Sequence, residues 1–258
     1  MASPADAPAR WHTIVDHCDT APVTDVRNTV AAAGITLLDC SRMLMASTFG
    51  GLSDDRLAER LDRWAHHMFE MGHASLEVAG LDFVPPGRCV LMSNHTSLMD
   101  PAAMVLAFPR QLSFVAKKEL GGVPVFGQAL RRLGVVFVDR SKPRRAVAQL
   151  AAAKDDLPAD RALWIAVEGG RSKDGSLGRF KKGPFHLALQ WQVPILPTYI
   201  AGTRAMIDAE SWSSTTGQRV RVAFGPPIAT AGADLTDLRR LLKETQASVK
   251  RIEALCTS

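Results

Sequence analysis

Short apolar runs alternate with helical segments from Gly72 onward, and this alternation restricts the fold more than any other feature of the sequence. Strands that alternate with helices form a largely parallel sheet, because each connection must cross over the sheet to reach the next strand. We therefore predict an α/β domain over residues 76–258, with a largely parallel mixed sheet flanked by helices. The predicted strands are 89–92, 112–116, 135–138, 162–167, 195–200 and 219–224, the last of them at an edge of the sheet.

Residues 26–75 predict two amphipathic helices that form a hairpin. The first segment is apolar until Gly50 and Gly51 interrupt it, and Ser53 is then a favourable N-cap for the second helix. In the second helix, large apolar residues recur at steps of four and three, which places them on one face. Residues 1–25 lack periodicity and predict a flexible N-terminus. The apolar face of the second helix comprises Leu57, Leu61, Trp64, Met68 and Met71.

The apolar faces of this hairpin allow two interpretations. They could pack against the α/β domain, or they could enter the interface of a bilayer while neighbouring arginines contact lipid phosphates. A spanning helix is not predicted, because no apolar run reaches about eighteen uninterrupted residues. The N-terminus lacks the charged and then apolar layout of a signal peptide. Membrane contact, if the hairpin makes it, is therefore expected from one side.

The net charge of +5 suits an anionic partner, such as a membrane surface, a phosphorylated substrate, coenzyme A or nucleic acid. Aromatic residues make up only 6% of the chain and no basic tract is present, which argues against nucleic acid. The four cysteines lie far apart, without a Cys-x-x-Cys pair. This spacing predicts neither a zinc site nor a disulfide framework, and we expect reduced thiols in a cytosolic setting.

The polar turn after strand 89–92 carries the clearest chemical signal. On one regular helix, His95 and Asp100 would point about 140° apart, but a turn followed by a helix start lets them meet. A carboxylate beside one imidazole nitrogen fixes the tautomer and leaves the other nitrogen as a base. The structural alternative is that Asp100, which precedes Pro101, only caps the helix. A single histidine after a strand does not decide between these interpretations.

Residues 94–100, Asn-His-Thr-Ser-Leu-Met-Asp, resemble the NHxSxxD block of the glycerolipid acyltransferase family, whose members acylate lysophosphatidic acid and related acceptors. Segments 134–140, 168–172 and 193–197 resemble three further blocks of that family, in the same order. The resemblance extends from about Leu81 to Thr203. One such motif is weak evidence, whereas four in order are specific.

The resemblance implies that His95 is the general base and Asp100 its orienting partner. Acyl transfer needs such a base because the acceptor hydroxyl loses a proton as it attacks the thioester, and no acyl-enzyme is required. Forked guanidinium donors suit phosphate oxygens, and glycines let a ligand approach the backbone. The implied substrate-binding residues are Asn94, Ser97, Lys117, Arg140, Glu168, Gly169, Gly170 and Arg171, with Val193, Pro194 and Ile195 lining the acyl groove.

The leading expectation is transfer of a fatty acyl group to lysophosphatidic acid, giving phosphatidic acid in phospholipid biosynthesis. The co-substrate would be acyl-CoA or acyl carrier protein, with no other cofactor and no metal. We expect a peripheral or monotopic protein on the cytoplasmic face of the membrane. The third block here is Ala-Val-Glu-Gly-Gly-Arg instead of the family's Phe-Pro-Glu-Gly-Thr-Arg. Another lysolipid or an amino-acid lipid as acceptor, a thioesterase, or a non-catalytic lipid-binding protein are therefore alternatives.

Overall fold

The computed structural model describes residues 10–18, 21–50, 53–208, 211 and 213–257. A mixed sheet lies at its centre, with helices on both faces. The strands are β1 (Trp11–Val15), β2 (Ser75–Ala79), β3 (Val90–Ser93), β4 (Leu112–Lys117), β5 (Val136–Val138), β6 (Ala162–Ala166), β7 (Ile195–Ala201) and β8 (Arg219–Phe224). The helices are α1 (Val26–Gly50), α2 (Asp54–Met71), α3 (Asp100–Ala107), α4 (Phe126–Arg132), α5 (Pro143–Asp156), α6 (Gly183–Trp191), α7 (Thr203–Met206) and α8 (Leu238–Thr257).

The strand order is β1-β2-β8-β7-β3-β6-β4-β5. The pairings β2–β8, β3–β6, β3–β7, β4–β5 and β4–β6 are parallel, whereas β1–β2 and β7–β8 are antiparallel. The predicted fold class, a largely parallel mixed sheet flanked by helices, is confirmed. The order also makes β3, β6, β4 and β5 consecutive neighbours. Because these four strands are parallel, the loops that follow them all lie at the carboxyl ends of the strands.

Two predictions about the ends of the sheet are wrong. Strand β8 is internal, because β2 pairs with one side of it and β7 with the other. In the region 1–25, which was predicted to be flexible, residues 11–15 form β1, which pairs with β2 at one edge of the sheet, while residues 1–9, 19 and 20 lie outside the described residues. Residues of β1 alternate poorly in polarity and most of them are exposed, so their strand structure depends on the ladder with β2 and not on a local pattern.

Each face of the sheet has its own apolar core. On one face, α2 and α3 pack together and bury Met68, Phe69 and Met104. On the other face, α5, α6 and α8 bury a second cluster that includes Trp191 and Leu241. Burial on both sides explains why the central strands are continuous apolar runs instead of alternating ones.

The two N-terminal helices differ in how far their apolar residues are buried. Ser53 caps α2 as predicted, accepting a hydrogen bond from the Arg56 N–H, while Gly51 lies outside the described residues. The α2 face packs against the domain, so for this helix the packing interpretation is confirmed. Helix α1 instead carries an apolar segment, Val26–Ala46, that is long enough to cross a membrane, although the sequence predicted no such span. Only 22% of its most apolar window is buried.

Candidate active site

The turn between β3 and α3 brings His95 and Asp100 into contact. Nδ1 of His95 lies 2.6 Å from Oδ2 of Asp100, which confirms the predicted pairing. The imidazole is 17% exposed whereas the carboxylate is fully buried. The Asp100 carboxylate holds the proton on Nδ1, so Nε2 is the nitrogen left as an acceptor. In the described part of the chain, no protein group bonds Nε2, and the imidazole can act as a base toward a molecule that reaches its exposed edge.

The Asp100 carboxylate is held by several donors at once. Its Oδ2 also accepts hydrogen bonds from the backbone N–H groups of Thr96 (2.7 Å) and Ser97 (3.0 Å), and its Oδ1 accepts one from the Thr203 hydroxyl. Asp100 occupies the first turn of α3, where the helix dipole favours a negative charge. A buried carboxylate requires such donors, because an unpaired one would be costly to remove from water.

Trp164 on β6 fixes the other side of the imidazole. The two rings meet edge to face, with centroids 5.4 Å apart. Trp164 is itself anchored, because its indole N–H donates to the Ser93 hydroxyl at 2.8 Å. His95 is therefore confined by a carboxylate on one side and an aromatic ring on another, which restricts the direction of Nε2.

The third motif follows β6 and lies against the first. The Ser172 N–H donates to the His95 carbonyl at 2.8 Å, which brings the neighbouring Arg171 to the site. Glu168 accepts a hydrogen bond from the Gly178 N–H on Oε2, while its Oε1 is buried and meets no hydrogen-bond partner of normal geometry among the described residues. Burial raises the pKa of Glu168, an effect that the Gly178 N–H and the nearby His95 oppose.

The second motif presents Arg140 from the turn after β5. Asp139 accepts hydrogen bonds from Lys118 Nζ (2.6 Å) and from the Ser141 hydroxyl (2.5 Å), and these two interactions lower its pKa to about 2. Arg140 is exposed, and its Nη1 would lie 3.8 Å from a Cβ placed on Gly170. The second and third motifs therefore meet, although β4 lies between β5 and β6, because the loops at the carboxyl ends of parallel strands converge.

Comparison with known proteins agrees with this geometry. Residues 75–201 match the family model described as Acyltransferase. The chain is 32% identical over 181 residues to the 1-acyl-sn-glycerol-3-phosphate acyltransferase of Pseudomonas aeruginosa, an alignment that covers 69% of this chain and 68% of the relative. The chain belongs to the glycerolipid acyltransferase family. The resemblance seen in the sequence motifs is thus confirmed.

Mammalian members of the glycerolipid acyltransferase family are also similar. The human 1-acyl-sn-glycerol-3-phosphate acyltransferase alpha is 34% identical over 177 residues, or 67% of this chain and 62% of the relative. The mouse protein of the same name is 32% identical over 179 residues, an alignment that covers 69% of this chain and 63% of the relative. This chain therefore spans a little over three fifths of the length of these relatives. The crystal structure of the 1-acyl-sn-glycerophosphate acyltransferase of Thermotoga maritima has the same fold, with a TM-score of 0.72 and 23% sequence identity. The match covers 89% of this chain and 94% of that chain.

The other cationic residues that the resemblance singled out lie, like His95, at the carboxyl ends of the strands. Lys117 is the last residue of β4 and is aligned with Val138 at the end of β5. Lys117, Arg140 and Arg171 are all exposed, and no hydrogen bond or ion-pair contact to the described protein groups engages any of them. Their donors can therefore meet an anion. Desolvation lowers the pKa of Arg140, and the nearby Glu119 charge opposes that effect. Gly169 has a φ of 78°, which glycine adopts without strain.

Asn94 and Ser97 are placed differently from the substrate-binding role that the resemblance implied. Asn94 is 2% exposed, and its amide bonds the backbone N–H and carbonyl of Ile200 on β7. Ser97 is fully buried, donates to the Ile207 carbonyl and accepts from the Met99 N–H. Because their polar atoms are engaged by the protein, these two side chains shape the turn that carries the dyad.

The acyl-groove assignment of Val193, Pro194 and Ile195 does not fit the fold. Ile195 is aligned with Val90 at the start of β3, whereas His95 follows the end of that strand, roughly 16 Å away for five extended residues. Ile195 is also fully buried in the core. The fourth motif therefore lies at the amino ends of the strands, opposite to His95, where it begins β7 and packs in the core.

Sequence reasoning missed Trp164 and Thr203, the two side chains that complete the surroundings of the dyad. Trp164 is one apolar residue in an apolar strand, so no local signal separates it from its neighbours. Thr203 is 103 residues from Asp100 along the chain and lies at the end of the similar region. Only the pairing of β3 with β6 and β7 brings them to the turn.

Proposed function

We propose that this protein is a 1-acyl-sn-glycerol-3-phosphate O-acyltransferase. In this reaction a fatty acyl group moves from the thioester of acyl-CoA or acyl carrier protein to the free hydroxyl of lysophosphatidic acid, and phosphatidic acid is formed. The observation that carries the proposal is the His95–Asp100 pair, whose imidazole is partly exposed. It lies at the same end of the strands as Lys117, Arg140 and Arg171, which have no hydrogen-bond or ion-pair partner among the described residues. The names of the relatives in the family support the acceptor.

The chemistry follows from the geometry of the dyad. Nε2 of His95 takes the proton of the acceptor hydroxyl as its oxygen attacks the thioester carbonyl, and Asp100 stabilises the imidazolium that forms. The tetrahedral intermediate then collapses, the carbon–sulfur bond breaks, and the imidazolium gives its proton to the departing thiolate. General base catalysis of this kind contributes about 10²–10⁴-fold in rate. A serine nucleophile is unnecessary, because the acceptor supplies the attacking oxygen.

The charged side chains have separate tasks in this proposal. Arg140, Arg171 and Lys117 bind the acceptor phosphate, for which free guanidinium and ammonium donors at one edge of the sheet are suited. Glu168 accepts a hydrogen bond from an acceptor hydroxyl through its buried Oε1. Its alternative role, organising the arginines, has less support, because no ion pair joins Glu168 to an arginine in the described residues.

Replacement of His95 by alanine tests this function directly. Product formation from radiolabelled acyl-CoA and lysophosphatidic acid should fall by about 10²–10⁴-fold. A matched control is His66→Ala, because His66 also pairs with a carboxylate, Asp62, at 3.3 Å, but both side chains are about half exposed on α2. Normal acylation by the His95 variant would rule out the proposed mechanism.

The acceptor and donor are tested in the same assay. A panel of lysophosphatidic acid, other lysophospholipids and amino-acid lipids, read by product identity, decides the acceptor, which the altered third motif leaves open. Parallel reactions with acyl-CoA and acyl carrier protein decide the donor. Release of free thiol without any acceptor would instead indicate a thioesterase, and binding without turnover would indicate a lipid-binding protein.

We also propose that α1 brings the protein to the cytoplasmic surface of a membrane as a peripheral or monotopic contact. Its outward face carries Val26, Val30 and Leu37, which are 53%, 67% and 52% exposed. An apolar face of this size has a favourable partner in the bilayer interface. The double variant Val30→Asp/Leu37→Asp should lose co-sedimentation with vesicles of phosphatidylglycerol and phosphatidylcholine.

A matched control for the membrane proposal is Leu235→Asp, which places the same charge on an isolated leucine that is 66% exposed. This variant should sediment with vesicles like the unmodified protein. Point substitutions are preferable to deletion of the hairpin, because Met68 and Phe69 of α2 are buried in the core. Unchanged sedimentation of the double variant would exclude α1 as the contact.

A further inference from the structure

The turn that follows β7 places a buried hydroxyl behind the His95–Asp100 pair. Gly202 has a φ of 88°, and a Cβ at this position would lie 2.2 Å from the Arg219 carbonyl oxygen. Glycine is therefore required for the chain to turn here. The next residue, Thr203, begins α7 and is fully buried.

The hydroxyl of Thr203 completes the hydrogen bonding of the Asp100 carboxylate. Oδ2 is engaged by His95 and by the N–H groups of Thr96 and Ser97, whereas Thr203 supplies the donor to Oδ1 in the described structure. An ionised carboxylate only accepts, so Thr203 must be the donor. The Thr96 hydroxyl, 3.4 Å from that of Thr203, can then donate to Thr203 in turn.

We propose that Thr203 is a positioning residue for the reaction. The torsion that rotates a carboxylate is broad, so donors on both oxygens are needed to fix its plane. A bond to Oδ1 holds Asp100 in the orientation that aims Oδ2 at Nδ1, and the imidazole in turn aims Nε2 at the acceptor hydroxyl. Small displacements of a catalytic group lower the rate more than they lower binding. The inference rests on the proposed function, since it assigns Thr203 a role through His95.

The test uses three substitutions. Thr203→Val keeps the shape of the side chain but removes the hydroxyl, and Thr203→Ser restores it. The control is Thr245→Val on α8, the same substitution at another fully buried threonine, whose hydroxyl has no hydrogen-bond partner among the described residues. We expect Thr203→Val to lower kcat about tenfold and to change KM for acyl-CoA and lysophosphatidic acid by less than about twofold, because alignment is lost and substrate contacts are kept.

Two further readouts separate positioning from a merely structural role. Thr203→Ser should recover most of the kcat, although it packs less well than valine. The Nδ1 proton of His95 should give a downfield ¹H resonance, which Thr203→Val shifts and Thr245→Val leaves unchanged, because only the first alters the acceptor of that proton. If Thr203→Val does not fold, Thr203→Ala provides the same comparison against Thr203→Ser.

Wild-type kcat in Thr203→Val, with an unchanged His95 resonance, would overturn the positioning role. The same result together with an inactive His95→Ala variant would leave the proposed function standing and remove only this inference. Full activity of His95→Ala would instead remove the proposed function itself. The two failures are therefore distinguishable in one set of assays.

Discussion

Arginines at the two ends of the sheet are used in opposite ways. At the amino ends of the strands, Arg88 donates to the carbonyls of Lys154, Leu157 and Pro158, which close the end of α5. At the carboxyl ends, Arg140 and Arg171 are exposed and have no hydrogen bonds to the described protein groups. Arginine thus stabilises a loop at the amino ends of the strands, whereas Arg140 and Arg171 leave their donors unbonded at the carboxyl ends.

The difference shows where binding capacity lies in this fold. Arg110, also at the amino edge, bonds the carbonyls of Gly87, Asp160 and Pro85, so most of its donors are satisfied internally. A ligand anion could engage these arginines only by displacing structural bonds. Arg140 and Arg171, at the carboxyl ends of the strands, have no such bonds to displace, whereas Arg204 at the same end donates to the Lys173 carbonyl. We expect substitutions at the carboxyl edge to affect turnover and those at the amino edge to affect folding.

The largest effect is expected from Asp100→Asn at the carboxyl edge. The amide cannot stabilise the imidazolium as a carboxylate does, and kcat should fall about 10³-fold, within the range of general base catalysis. Steady-state kinetics with lysophosphatidic acid measure this loss, and circular dichroism verifies the fold. A decrease of less than tenfold in a folded variant would contradict the role of the dyad.

Arg171→Ala should lower kcat/KM for lysophosphatidic acid by roughly 10–100-fold, which corresponds to loss of a charged hydrogen bond of about 1.5–3 kcal/mol. The thermal unfolding temperature should not change, since the side chain makes no hydrogen bond or ion pair with the described protein groups. An acceptor that lacks the phosphate, 1-acylglycerol, is the control and should react equally well with both proteins. An equal loss with both acceptors would show that Arg171 does not bind the phosphate.

Arg110→Ala, at the amino ends of the strands, is expected to lower stability and to leave substrate binding unchanged. Loss of its bonds to three loop carbonyls should lower the free energy of unfolding by about 1–3 kcal/mol. Denaturant unfolding measures this change, and KM for both substrates should match that of the wild type. The comparison between the two edges fails if Arg110→Ala raises KM while stability is unchanged.

The smallest expected effect tests whether every charged group at the carboxyl edge serves a ligand. Lys118 and Ser141 lower the pKa of Asp139 to about 2, below the value of about 3.9 for an unfolded chain. Asp139 therefore contributes stability above about pH 4, and this contribution is lost as the pH falls toward 2. Asp139→Asn should weaken the decrease in the urea midpoint between pH 5 and pH 3. An identical decrease in both proteins would contradict this structural role.

The local patterns were sufficient for most of the secondary structure and for the dyad. The predicted strands 112–116 and 219–224 correspond to β4 and β8, and Ser53 caps α2 as its sequence predicts. Apolar periodicity and capping residues are properties of neighbouring positions, so the sequence displays them directly. The pairing of His95 with Asp100 was also predictable, because five residues across a strand–turn–helix junction allow few geometries.

The tertiary structure alone decided which strands are edges, which motif residues reach the site and what lies behind the dyad. Strand β8 is internal because β1 and β2 extend the sheet beyond it, and Ile195 lies far from His95 because β7 starts at the opposite edge. Thr203 reaches Asp100 across 103 residues. Such contacts depend on the order and direction of strands, which are set by the packing of distant segments and leave no trace in the local sequence.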